Sequence, residues 1–145
     1  MYGCRRRAAR LWTLLRGQRG YEVTGPARDV VACHCNECRK ASGHFTAASA
    51  VHGEHLTVVE DLGLRWFRSF SRAQRGFCHL CGSTLFWKPD SDDRISIYAG
   101  TIDDDPDLRL TSHIYLDEKG SYYDILEQDD AERFDAGGTA LQFPG

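Results

Sequence analysis

Five of the six cysteines fall in two tight clusters, Cys33-His34-Cys35-Asn36-Glu37-Cys38 and Cys78-His79-Leu80-Cys81-Gly82. Thiolates at such spacings are metal ligands, and soft sulfur donors suit Zn²⁺. In an extended segment side chains two apart share a face, so Cys33 and Cys35 point the same way. A turn or first helical turn after Cys35 returns Cys38 to the same point. Three thiolates therefore converge with no fourth donor beside them. Zn²⁺ takes four tetrahedral ligands, so three protein donors leave an exchangeable position, which is the pattern of a catalytic ion. His34 falls on the opposite face of the strand and reads as a packed or surface histidine rather than a ligand.

The second cluster is a C-x-x-C-G knuckle. Its spacing wraps two sulfurs and the backbone amides around one metal, and Gly82 permits the tight turn. Closing such a site takes two further donors. A redox pair is the rival reading, but the βαβ setting of a thioredoxin-like motif is missing. A blander reading of both clusters together is one structural four-cysteine zinc with a spare thiol. Six cysteines would also suit three disulfides in a secreted domain. Clustering argues against that, as does the longest apolar run near the start, Leu11-Trp12-Thr13-Leu14-Leu15, too short for a signal-peptide core or a membrane span. The expectation is a soluble, cytoplasmic protein with no membrane partner.

These thiols need a frame, and the sequence supplies one made of short strands. Runs rich in Val, Ile, Phe, Tyr and Trp, punctuated by Gly, Pro, Asp or Ser, predict strands at Tyr21–Thr24, Val30–His34, Phe45–Val51, Leu56–Val59 and Leu64–Ser69. Further strands are predicted at Gly76–Cys78, Thr84–Trp87, Ile95–Ala99 and His113–Leu116. Asn36–Ser42 predicts a short helix after the first cluster, and Tyr123–Gln128 a second. The fold class is mainly β, a single domain of short antiparallel strands with one or two short helices. The working domain is expected over residues 21–128. Residues 129–145 are polar and Gly-rich and read as a loosely held tail.

With 145 residues, 41% hydrophobic and 27% charged, the chain is long enough to bury one core. The net charge of −3 and pI near 6.0 give no general drive toward nucleic acid. Residues 1–20 carry six arginines and no acid, whereas residues 101–145 carry twelve acids against three bases. The Arg-rich segment has helical propensity and no strand character, and it is expected to stand outside the core fold. It could serve as a basic arm or a targeting peptide, but the plainer reading is an unstructured or incidental extension. The acidic C-terminal half, with no basic stripe through the core, argues against a nucleic-acid partner.

The run from Val31 to Gly43, with its C-x-C-x-x-C, closely resembles the glutathione-dependent formaldehyde-activating enzymes. The run from Gly76 to Trp87 is similar to the second cysteine block of that family. Tyr98-Ala99-Gly100-Thr101-Ile102-Asp103 and Ser112-His113-Ile114-Tyr115 resemble its following segments, and the likeness spans about residues 21–126. The resemblance implies an Mss4-like β fold with two zinc sites. One zinc would be held by Cys33, Cys35 and Cys38 and be open to substrate. The other would be structural, held by Cys78, Cys81 and an N-terminal C-x-C pair. In this chain Leu14 and Arg16 stand where that pair is expected. The implied activity is that of a carbon–sulfur lyase, such as one forming S-hydroxymethylglutathione from glutathione and formaldehyde. Arg39 and Lys40 are candidates for attracting glutathione carboxylates. A non-catalytic zinc module that binds another protein is the alternative.

Overall fold

A computed structural model describes residues 10–13, 19–59, 61–103 and 107–137. The strands, in chain order, are β1 (Arg10–Thr13), β2 (Arg19–Val23), β3 (Val30–Cys33), β4 (Thr46–His52), β5 (Leu56–Val58), β6 (Leu64–Phe70) and β7 (Ala73–Cys78). They continue with β8 (Thr84–Pro89), β9 (Arg94–Tyr98), β10 (Leu110–Ile114) and β11 (Glu132–Arg133), and one helix, α1, spans Asn36–Ser42. Eight strands form a sheet in the order β11-β10-β3-β4-β9-β8-β7-β6, and β1-β2-β5 form a smaller one. Pairing is antiparallel except that β10 runs parallel to both β3 and β11. The mainly β reading holds.

The register explains how the large sheet separates a core face from a cleft face. Ala48 lies opposite Val31 on one side and Tyr98 on the other, and Cys33 lies opposite Thr46. Trp87 pairs with Ser96 and with Arg75. Because side chains alternate along a strand, these residues share one face. Their neighbours Val51, Phe86 and Ile97 point to the other face, where they cluster with Tyr21, Val23, Cys78 and Leu85. Tyr21 and Val23 come from the smaller sheet, so the two sheets close on each other over this apolar cluster. Its centre is Phe86, 1% exposed. The Phe86 ring meets Tyr21 edge-on at 5.1 Å and stacks on Trp66 at 6.1 Å. Gly76 pairs with both Trp66 and Phe86, and a Cβ there would lie 3.1 Å from the Phe86 ring. The glycine thus lets the two aromatic rings meet across it.

Several elements differ from the sequence reading. Tyr123–Gln128 is not helical. Its Leu and Glu favour helix, but Tyr123 is drawn inward to bond and stack with His34. Tyr122 bonds His44 at 3.0 Å, and Lys119 Nζ donates to the Tyr123 carbonyl. Tertiary partners outweigh the local preference of a six-residue segment. Arg10–Thr13 shows no strand pattern in the sequence, yet it pairs antiparallel with β2. Within the tail, the Phe134 amide donates to the His113 carbonyl at 2.9 Å, and Ala131 is buried, so residues 131–134 are tied to β10. Ala99 leaves β9 and opens a 3₁₀ turn. Among the described residues no helix is long and apolar enough to cross a membrane.

Candidate functional site

The first cysteine cluster sits where β3 ends and α1 begins. Cys35 is the helix N-cap, in extended conformation (φ −62°, ψ 159°), and its Sγ accepts the Cys38 amide at 3.4 Å. This cap does what Ser or Asp does at other helices, satisfying an orphan amide. It also turns the chain so that Cys38 comes back toward Cys33. Gly43 ends the helix at φ 81°, its amide donating to the Arg39 carbonyl, which returns the chain into β4. The three Sγ atoms lie within 4.8 Å of one another, and all three side chains are half-buried. None of the five described cysteines is in a disulfide.

The sulfurs share their protons unevenly. Cys38 is held well below an ordinary thiol by hydrogen bonds from Cys33 and Cys35, and further by Arg75. Cys33 is pushed up because it donates hydrogen bonds to Cys35 and Cys38 and so keeps its proton, and by burial. A trio that already stabilises one thiolate, with its sulfurs converging from three sides, suits a soft divalent ion such as zinc. Among the described residues this is the one cluster able to hold a metal through three donors.

Arg75 is the part of the site that no local motif announces. It is 7% exposed, and its Nη2 lies 3.7 Å from Cys38 Sγ while Nη1 donates to the Tyr98 hydroxyl. Burying a guanidinium is costly unless it is paired, and here its counter-charge is the Cys38 thiolate. Three thiolates around a divalent ion would carry a net negative charge, which Arg75 is placed to offset. β7 delivers this arginine across three intervening strands.

The thiols open onto a cleft of about 350 Å³ whose wall includes Arg28, Tyr98 and Tyr115. That volume falls within the range of small-ligand sites. Tyr115 has φ 57°, a left-handed conformation uncommon for a non-glycine residue, at the turn leaving β10. Burial raises its phenol above the ordinary tyrosine range, and the Cys38 thiolate adds to this. Arg39 and Lys40, the basic residues expected to attract carboxylates, do not line the cleft. Arg39 donates instead to Asn36 on its own helix at 3.1 Å.

His34 points away from the thiols, as the alternation requires. It is 1% exposed, with Nε2 2.9 Å from His113 Nδ1 and Nδ1 bonded to the Tyr123 hydroxyl. His113 continues to Asp129 at 2.9 Å. Burial, followed by the charge of His113, His44 and Lys119, lowers the His34 pKa to about 4, so the ring is neutral. This chain of polar groups fastens the ligand loop to β10 and to the C-terminal segment.

The second knuckle is formed as its spacing requires. Gly82 takes φ 78°, its amide donates to the Cys78 carbonyl at 2.7 Å, and the Cys78 amide donates to the Ser83 carbonyl at 2.8 Å. Cys78 is buried against the apolar cluster, and Cys81 packs beside it. Leu14 and Arg16, the positions where the second ligand pair is expected, lie outside the described residues, as does the sixth cysteine, Cys4. Space around Cys78 is tight, because a Cβ at Gly63 would stand 2.5 Å from its Sγ. Gly63→Ala is therefore expected to destabilise the fold by about 1–3 kcal/mol through overpacking. Urea unfolding of the two proteins at equal zinc measures it, and an unchanged midpoint would mean that the knuckle yields freely.

Comparisons with known proteins agree with this architecture. A crystal structure of a Rhodobacter sphaeroides protein superposes with a TM-score of 0.51 at 21% identity, covering 64% of this chain and 87% of that one. At that identity the likeness is one of fold. No curated protein matches the chain. Residues 16–118 match the family described as glutathione-dependent formaldehyde-activating enzyme, a span holding both cysteine clusters, Arg28, Arg75 and the cleft. The chain belongs to the family of glutathione-dependent formaldehyde-activating enzymes.

Proposed function

We propose that the protein is a zinc-dependent enzyme of the carbon–sulfur lyase type, acting on a thiol and its aldehyde adduct, with glutathione and formaldehyde as the natural first pair. The observation that carries this reading is the opening of three converging thiols onto a ligand-sized cleft. A purely structural ion gains nothing from such an opening. Cys33, Cys35 and Cys38 would hold the zinc, which when bound lowers the pKa of an incoming thiol and keeps it a thiolate at neutral pH. The chain's own residues do the rest. In the forward direction the thiolate sulfur bonds the aldehyde carbon, the carbonyl π bond breaks, and its oxygen takes up a proton. The product is a hemithioacetal, and the reverse reaction breaks the same carbon–sulfur bond. Arg75 offsets the charge that a further thiolate brings to the cluster. Tyr115, kept protonated and facing the same cleft, is placed to give a proton or hydrogen bond to the developing alkoxide. Cys78 and Cys81 would serve a second, structural ion completed by donors elsewhere in the chain.

The test begins with metal content. Cys35→Ser is expected to remove the ion at the first cluster, lowering zinc per chain by one equivalent, and to abolish hemithioacetal formation. Elemental analysis of both proteins measures the first effect, and nuclear magnetic resonance of glutathione with labelled formaldehyde the second. Unchanged zinc in Cys35→Ser would remove the catalytic reading. Cobalt substitution adds an independent check, because a thiol entering the coordination shell changes the ligand-field spectrum. A spectrum indifferent to millimolar glutathione would favour the alternative of a zinc module that binds another protein.

A further inference from the structure

We propose that Arg28 is the residue that selects the thiol substrate, by binding a carboxylate placed one residue beyond the thiol-bearing one. The proposal rests on the thiol reading above and names the substrate class at the same site. Arg28 lines the cleft together with the three cysteines. Its guanidinium is anchored rather than free to swing: Nη2 donates to the Ala48 carbonyl at 3.2 Å and Nε to the Asp29 carbonyl at 3.4 Å. A guanidinium carries five N–H donors, so these two bonds leave others for a ligand. Among the described residues no carboxylate pairs with it. The charged group that acts on it is another cation, Arg94, itself taken up by Asp92, while Glu37 and Glu118 line the same cleft without pairing with it. Burial, followed by Arg94, lowers the Arg28 pKa to about 10, so it remains charged at neutral pH while its charge is poorly solvated. A half-buried, pre-positioned and unneutralised guanidinium is the arrangement that recognises a carboxylate in bidentate fashion.

The register sets the reach. Cys33 pairs with Thr46, and Ala48, which holds the guanidinium, stands two residues further along β4. Two residues of strand span about 7 Å between backbone positions, which sets the scale on which thiol site and guanidinium are separated. In cysteine itself the carboxylate is joined to the carbon next to the one bearing sulfur, too near the thiol to reach both points. Inserting one residue adds about 3.5 Å and brings both groups within span. Glutathione meets that description through its glycine carboxylate.

The experiment uses the zinc-loaded chain and three probes: glutathione, glutathione amidated at the glycine carboxylate, and 2-mercaptoethanol. Titration calorimetry on the native protein is expected to show the amide binding about ten- to hundredfold more weakly than glutathione, the usual effect of losing a charge-assisted pair. Arg28→Met should weaken glutathione by a similar factor and leave the amide and 2-mercaptoethanol unchanged, and Arg28→Lys should recover part of the loss. Equal affinity of native protein for glutathione and its amide would overturn the proposal, and so would an Arg28→Met loss shared by all three thiols. Should Arg28→Met fail to fold, the native comparison and Arg28→Lys still decide. If 2-mercaptoethanol binds and glutathione gains nothing over it, Arg28 alone is misassigned. If no thiol binds the loaded native protein, the thiol reading falls and this proposal falls with it.

Discussion

Arg75→Met should weaken metal affinity at the first cluster by about 10–100-fold, the scale seen when a group that orients or neutralises metal ligands is removed. Methionine fills a similar volume, so the loss is one of charge rather than of packing. Cys38 Sγ would lose the guanidinium 3.7 Å away, and the Tyr98 hydroxyl would lose its donor. The trio would then have to hold its negative charge in a half-buried site with nothing to offset it. Competition against a chromophoric chelator measures the change. Arg75→Lys should fall between the two, since an ammonium restores the charge but not the fork that reaches sulfur and phenol together. Without metal, the methionine variant should be less stable than the parent, because removing one partner of a buried pair leaves the other uncompensated. Equal chelator competition by parent and Arg75→Met would show that the guanidinium serves packing alone.

Phe86→Ala is expected to cost about 3–5 kcal/mol of folding stability, the usual range for deleting a buried aromatic ring. The ring is 1% exposed and lies between Tyr21 and Trp66, and Gly76 opposite it has no side chain with which to fill the void. Phe86→Leu should cost substantially less. The midpoint in denaturant should fall with the slope unchanged, since the surface exposed on unfolding is nearly the same. A loss below about 1 kcal/mol would mean that the two sheets close over the gap. The same variant tests how separate the two faces of the sheet are. At a temperature where it stays folded, its zinc content at the first cluster should match that of the parent.

What could be read from the sequence and what could not divide along a physical line. Asn36–Ser42 was legible as a helix because its determinants are local: a cap at Cys35, a glycine at position 43 and no β-branched run between. β9 was legible because Arg94–Tyr98 alternates with period two. The thiol trio was legible because i, i+2 and i+5 converge whenever a strand runs into a helix. The cleft was not. Arg75 and Tyr98 reach it through inter-strand register, and Arg28 from the loop before β3, which no single segment encodes. Arg39 and Lys40 seemed apt for an anion only because they are near the cysteines in sequence, and the helix turns them off the cleft. β11 escaped notice because its two residues, Glu132 and Arg133, are both exposed and carry no apolar pattern. The 123–128 segment misled because the partners of Tyr123, His34 and His44, lie about 80 to 90 residues earlier.

The parallel seam between β3 and β10 has a consequence for the order in which the chain assembles during synthesis. β3 finds its first neighbour, β4, immediately after α1, so the hairpin that holds the trio emerges almost at once. Its other neighbour comes much later: His34 and His113, bonded across the seam, are 79 residues apart. At ordinary elongation rates the ribosome takes on the order of 3–15 s to cover the interval between β4 and β10. Through that time Val30, Val31 and Ala32 form an apolar strand with one unpaired edge, the kind of surface that recruits a neighbouring nascent chain. Closing a long loop also delays the pairing that ends this exposure. Among the described strands, the one that ends in Cys33 is thus the one whose edge waits longest for its partner.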